Sequence, residues 1–272
     1  MFTKYFDEKQ FPKSSSTYVW KDFKVKYGMT TRKRTADILA IDDYKNLESS
    51  LKKNGYNIFR LGTHLGNKAH FSIVKMSSQK EQYLFHDEII KTDKKIFIPD
   101  VPARELFSYT LIPNATERGL VNVALASGIL KDALGLQSEP TLPIQGNSTY
   151  SFDVYPTSEQ ENLSYSHVNG QVEIDSCFLG KRNGREEIFV LEAKMLQGRK
   201  SLSKTKLAYA KLAVESVSKI KLPINLVYLL INKSESNAIE FYVCAIKWNS
   251  KYISELSIDK VSAYVLPTNI GI

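Results

Sequence analysis

Residues 224–231 read Ile-Asn-Leu-Val-Tyr-Leu-Leu-Ile, a nearly unbroken apolar run. A strand with one face in water alternates apolar and polar residues, whereas a strand without a polar face must be covered on both sides. The chain therefore needs a layer above and a layer below a central sheet. Two segments are suited to supply them. The spacing predicts a helix over 203–220, with Leu207, Ala210, Val214 and Val217 as its buried stripe and Lys204, Lys211 and Ser218 on the opposite side. A second, longer helix is predicted over 116–134. Thr116 is its cap, Gly135 its stop, and Leu120, Val123, Ala124, Ile129 and Leu130 its core face, although Gly119 and Gly128 weaken its middle. A further strand is read at 239–246. The expected class is α/β (α+β), a mixed central sheet flanked by helices.

Between the two helices lie the residues that carry chemistry. Gly-Gln-Val-Glu-Ile-Asp at 170–175 and Phe-Val-Leu-Glu-Ala-Lys at 189–194 read as strands, joined through Asn183-Gly184. Asn-Gly between apolar runs is a strong hairpin signal. Successive strand side chains point to opposite faces, so Glu192 and Lys194 emerge together, and Glu173 shares a face with Asp175. Paired as a hairpin, the two strands bring carboxylates and an ammonium to one place. Mg²⁺ takes one or two carboxylates, keeps waters, and uses substrate phosphate oxygens for the rest. A solvated amphipathic hairpin accounts for Glu-x-Lys alone. The apolar residue before Asp175, the intervening length and the Phe-Val-Leu run before Glu192 favour a metal site.

Ile174-Asp175, followed by Glu192-Ala193-Lys194, resembles the PD-(D/E)xK nuclease superfamily, the fold of most type II restriction endonucleases. Ile174 stands where that pattern has Pro. The resemblance spans about a hundred residues, from the helix near 117 to the strand near 231. It implies a restriction-endonuclease-like core, Mg²⁺ bound by Asp175 and Glu192, and a catalytic set of Asp175, Glu192 and Lys194. Lys194 would orient or deprotonate the attacking water, with help at the metal from the Ala193 carbonyl. Hairpin, helix and buried strand in that order also match the superfamily core. Members often complete the site with an acidic residue from a preceding helix. Glu117 is the candidate here, although a first-turn Glu facing a helix dipole needs no such role. Glu173 is a further possible ligand, and Gln197 a possible partner of phosphate or of Lys194; for both, an ordinary surface residue is the simpler reading.

Charge agrees with a polyanionic partner. The formal net charge is +8, and no Lys or Arg falls between Lys131 and Lys181, whereas cations crowd the sequence after Lys181. Arg199, Lys200 and Lys204 are the candidate DNA contacts. Residues 1–98 read as an N-terminal α+β module suited to DNA recognition, with Pro99 and Pro102 at the boundary and 99–272 as the catalytic domain. In the module a helix is read over 35–54, then strands at 56–61, 69–74, 82–86 and 95–98. Tyr18, Trp20, Phe23 and Tyr27 interleave with Lys21, Lys24 and Lys26, either as a nucleic-acid arm or as an edge strand packed on the core. Residues 140–170 read as a polar loop holding one strand, at 149–155.

The start Met-Phe-Thr-Lys-Tyr-Phe-Asp has no secretory pattern, no run reaches the roughly 20 apolar residues of a membrane span, and Cys177 and Cys244 are isolated. A cytoplasmic protein is expected. His64, His70, His86 and His167 are scattered without metal-ligand spacing and read as structural. The expectation is a Mg²⁺-dependent endonuclease cutting double-stranded DNA at a specific sequence, as a type II restriction enzyme and a homodimer. A structure-specific repair or junction nuclease is the alternative within that class, and a non-catalytic DNA-binding protein on the same fold the alternative outside it. Which residues read bases is not legible in the sequence.

Overall fold

The computed structural model describes residues 2–7, 16–64, 68–100, 106, 115–219, 221–233 and 238–267. Helices α1 (Thr3–Asp7), α2 (Trp20–Lys26), α3 (Thr35–Leu39) and α4 (Ser49–Asn54) surround strands β1 (Thr17–Val19), β2 (Tyr56–His64) and β3 (Lys68–Lys75). Then come β4 (Tyr83–Phe85), α5 (His86–Ile89), β5 (Lys94–Ile96), α6 (Glu117–Ala126), α7 (Ile129–Leu134), β6 (Ile144–Val154), β7 (Tyr165–Arg182) and β8 (Arg185–Met195). Strand β9 (Ser201–Ser203), α8 (Lys204–Val217), β10 (Ile224–Lys233), β11 (Ala238–Lys247) and β12 (Ser257–Pro267) complete the chain. The protein is a mixed α+β fold built on one ten-stranded sheet. Its order is β1-β3-β2-β7-β8-β10-β11-β12-β5, with β6 on β7.

The run at 224–231 is central, between β8 (parallel) and β11 (antiparallel). Its two faces enter different cores. Leu226, Tyr228 and Leu230 pack with Leu207 and Ala210 of α8, whereas Val227, Leu229 and Ile231 pack with Leu120, Ala124 and Leu130 of α6 and α7. Both covering layers required by the apolar run are therefore present. β8 and β10, being parallel, need a crossover, and α8 supplies it.

Asn183 and Gly184 have φ of 52° and 78°, the two positive values of a tight type I′ turn, and Arg182 faces Arg185 across it. The β7–β8 ladder runs from that turn to Ser176↔Leu191 and stops. Upstream, β7 pairs with β6, Glu173 opposite Asn147. Residues 140–170, expected as a loop with one short strand, thus hold most of a long hairpin. Its polar residues cover an exposed ribbon.

Two expected helices are each divided. The segment over 116–134 breaks at Gly128, whose φ of 84° ends one helix before the next begins. The segment over 35–54 is interrupted because its middle serves tertiary contacts. Asp43, fully buried, accepts hydrogen bonds from Lys45 N (3.1 Å), Lys200 N (3.1 Å) and Ser201 Oγ (2.9 Å), and the Asp42 carbonyl accepts from Ser203 N (2.7 Å). Backbone extended toward β9 cannot also be helical. Gly55 still ends α4, with φ of 72°. β9 and β12 answer to no feature read in the sequence.

Trp20, Phe23 and Tyr27 are buried with Phe2, Tyr5 and Phe71 in an aromatic cluster, and Tyr18 lies on edge strand β1. These rings are committed to packing, not free to stack on bases. β5, from the end of the expected module, pairs with β12 of the main sheet; Pro102 lies outside the described residues. The other joint is tighter: β2 meets β7 at Gly62↔Val168. A Cβ on Gly62 would stand 2.2 Å from the Val168 carbonyl oxygen, and Gly62 has φ of 78°. Steric overlap and an unfavourable backbone therefore coincide there. Gly62→Ala is expected to destabilise the fold by roughly 2–4 kcal/mol, measured as a lower denaturation midpoint; Gly184→Ala, where a Cβ meets nothing within 4 Å, should cost less.

Candidate active site

The site forms where β7 leaves β8. Past Ser176↔Leu191 the edge of β8 loses its strand partner, and its next two N–H groups on that edge need acceptors. Carboxylates provide them. Ala193 N donates to Asp175 Oδ2 (3.0 Å) and Met195 N donates to Glu117 Oε1 (2.9 Å). Glu117 reaches β8 from the first turn of α6, whose cap is Thr116, accepting from Gly119 N. Thus Asp175 and Glu117 are fixed by backbone, not by loop conformation.

Glu192 and Lys194 emerge from β8 between them. Lys194 Nζ lies 2.6 Å from Glu192 Oε1 and 3.6 Å from both Asp175 Oδ2 and Glu117 Oε2. The three residues expected to act together are therefore in contact, with Glu117 as a fourth member. All but Glu117 are buried. Lys206 of α8 lies beside them, its Nζ 3.8 Å from Glu192 Oε1 and 3.9 Å from Glu173 Oε2. Arg118 Nη2 holds the other oxygen of Glu173 at 2.6 Å. Glu173 is thus a bridge between two cations at the rim. Lys206 and Arg118 carry no motif in the sequence; only the packing of α8 and α6 places them here.

Burial and charge oppose one another at this point. Glu192 is 1% exposed, and desolvation pushes its carboxyl up to about 7 despite Lys206 and Lys194. Lys194 Nζ meets Oε1 at 2.6 Å, and among the described residues Oε2 has no hydrogen-bond donor. Burial would lower the Lys194 ammonium, but Glu192, Asp175 and Glu117 together outweigh it and raise it. Lys206 is raised in the same way, burial being outweighed chiefly by Glu192 and Asp42.

Among the described residues no group of three or more His, Cys, Asp or Glu is arranged to hold a metal ion by itself. The donors fit a different kind of site. Two buried carboxylates, one with an oxygen that no donor reaches among the described residues, suit a hard cation that completes its shell with water and phosphate oxygens.

The expected DNA contacts separate. Arg199 closes the turn after β8, its N–H on the Leu196 carbonyl (2.9 Å), and Lys200 follows it, exposed and with its N–H held by Asp43. Lys204, read on the outer face of its helix, is instead buried at the start of α8, donating to the Ser254 carbonyl (2.9 Å), and burial lowers its ammonium to about 8. Gln197 is exposed in the same turn as Arg199. Two of the histidines are buried, His86 against the Tyr228 hydroxyl (2.8 Å) and His167 stacked on Phe152.

Residues 79–265 match the family described as a domain of unknown function, DUF6997. That span is well over half of the chain, and the chain belongs to this family. It contains Glu117, Asp175, Glu192, Lys194 and Lys206. No curated protein and no solved structure matches the chain.

Because the folded pKa of Glu192 lies above its ordinary value, the folded state holds a proton there that the unfolded state releases. Its contribution is present at low pH and is lost as pH rises through about 7. Glu192→Gln, which stays neutral, is expected to be stabilised relative to the parent at pH 8.5 by on the order of 3 kcal/mol more than at pH 5. Thermal melts of both proteins in chelator check this. Added Mg²⁺ should raise the parent's midpoint at pH 8.5 and leave that of Glu192→Gln nearly unmoved.

Proposed function

We propose that this DUF6997 member is a Mg²⁺-dependent nuclease hydrolysing DNA phosphodiesters, with Asp175, Glu192 and Lys194 as its catalytic set. The observation that carries the reading is the convergence of those side chains, with Glu117, at the parting of two strands. Asp175 and Glu192 would hold the ion, which when bound supplies Lewis acidity toward phosphate and a more acidic water.

The protein's own groups do the rest. Lys194 is kept protonated by three carboxylates, which favours orienting the water and stabilising developing charge over deprotonation. Lys206, partly exposed beside Glu192, and Arg118, half-exposed at the rim, present their cations to the nonbridging phosphate oxygens. Glu173 holds both until substrate arrives. As the water oxygen bonds to phosphorus, one ester P–O bond breaks, and the proton that the water releases is taken up, through solvent, by the departing oxygen.

Within this class the reading is a type II restriction endonuclease acting on double-stranded DNA, as a homodimer. A repair or junction nuclease would instead prefer nicked or branched DNA.

Purified protein is expected to convert supercoiled plasmid into discrete linear fragments with Mg²⁺ and to do nothing in chelator. Asp175→Ala and Lys194→Ala should each lose roughly 10²–10⁴-fold in rate. Lys206→Ala should lose less, roughly tenfold, and lower the salt dependence of DNA binding by about one phosphate contact. A parent protein that binds DNA but leaves every plasmid and branched substrate intact with Mg²⁺ would sink the nuclease reading.

A further inference from the structure

A cleft of about 420 Å³ opens beside the carboxylates, between the N-terminal strands and the β6–β7 hairpin. Glu173 and Lys206, which belong to the rim of the site, line it, and so do Asn147, Gln171 and, from β2 across the gap, Arg60. In the hairpin Asn147 faces Glu173 and Thr149 faces Gln171, so these four side chains share one face of a two-stranded ribbon. All four are exposed. Among the described residues neither side-chain amide has a hydrogen-bond partner in the protein. Glu173 is engaged by Arg118 and Lys206, so the ribbon runs from the catalytic rim to two free amides.

We propose that this ribbon face is the base-reading surface, with Asn147 and Gln171 reading adenine edges in the major groove next to the scissile phosphate. The inference rests on the DNA-directed part of the proposed function, not on cutting. The chemistry favours it over a solvated polar face for three reasons. A two-stranded ribbon is one of two elements the major groove admits. Asn and Gln are the side chains that pair bidentately with adenine N6 and N7. The spacing also fits: Asn147 and Gln171 are diagonal neighbours, about 7–8 Å apart and somewhat less between Cβ atoms, which is close to two base steps of about 3.4 Å. Arg60, on the opposite wall, is placed to meet the backbone or a guanine.

The test is selection of bound sequences from a randomised duplex pool by the full chain in chelator, so that no cutting is needed. The parent is expected to enrich a short motif containing adenine. Asn147→Ala and Gln171→Ala should each lose discrimination at one base pair by roughly tenfold or more, and at positions about two steps apart. Both residues are exposed, so these changes should leave thermal stability intact. Gln171→Arg should shift the preferred base at its position from adenine to guanine, a change that a merely structural residue would not produce. The proposal is overturned if the parent enriches no motif, or if the variants enrich the parent's motif with undiminished strength. A motif enriched by a parent that never cuts plasmid would leave this inference standing and remove the nuclease; cutting without any sequence preference would do the reverse.

Discussion

The site depends on one backbone requirement. Where β7 turns from β8 toward β6, two amide groups of β8 are left on an unpaired edge, and a buried N–H without an acceptor is costly. Asp175 and Glu117 fill those positions, each with one carboxylate oxygen; Glu117 turns its other oxygen to Lys194, whereas Asp175 meets both Ala193 N and Lys194 with Oδ2. The same divergence that opens the sheet therefore orients the acids.

Charge then explains why the site can form before anything binds. Four carboxylates (Asp175, Glu192, Glu117 and Glu173) face three cations (Lys194, Lys206 and Arg118). With Glu192 ionised this leaves a single negative charge. Two further positive charges would leave one positive, which one phosphodiester monoanion offsets. Lys194 is the pivot of that balance, because it touches three of the carboxylates at once.

Much of this was legible in the sequence. Periodicity alone located β10, β11 and α8, because a strand buried on both faces and an amphipathic helix impose patterns that do not depend on tertiary detail. Asn183-Gly184 fixed the hairpin, and with it the convergence of Asp175, Glu192 and Lys194. Legibility failed where distant packing decided the outcome. Asp43 breaks a helix to reach β9; Lys204 is drawn inward by the Ser254 carbonyl; Lys206 and Arg118 arrive from helices whose docking no local pattern encodes. The ribbon of β6 and β7 was hidden because an exposed strand carries the polar composition of a loop.

Gly62 crosses Gly170 so closely that a single methyl group has no space on either one. The strands that carry Arg60 and Gln171 therefore meet at one crossing, which the absence of a side chain at both positions permits.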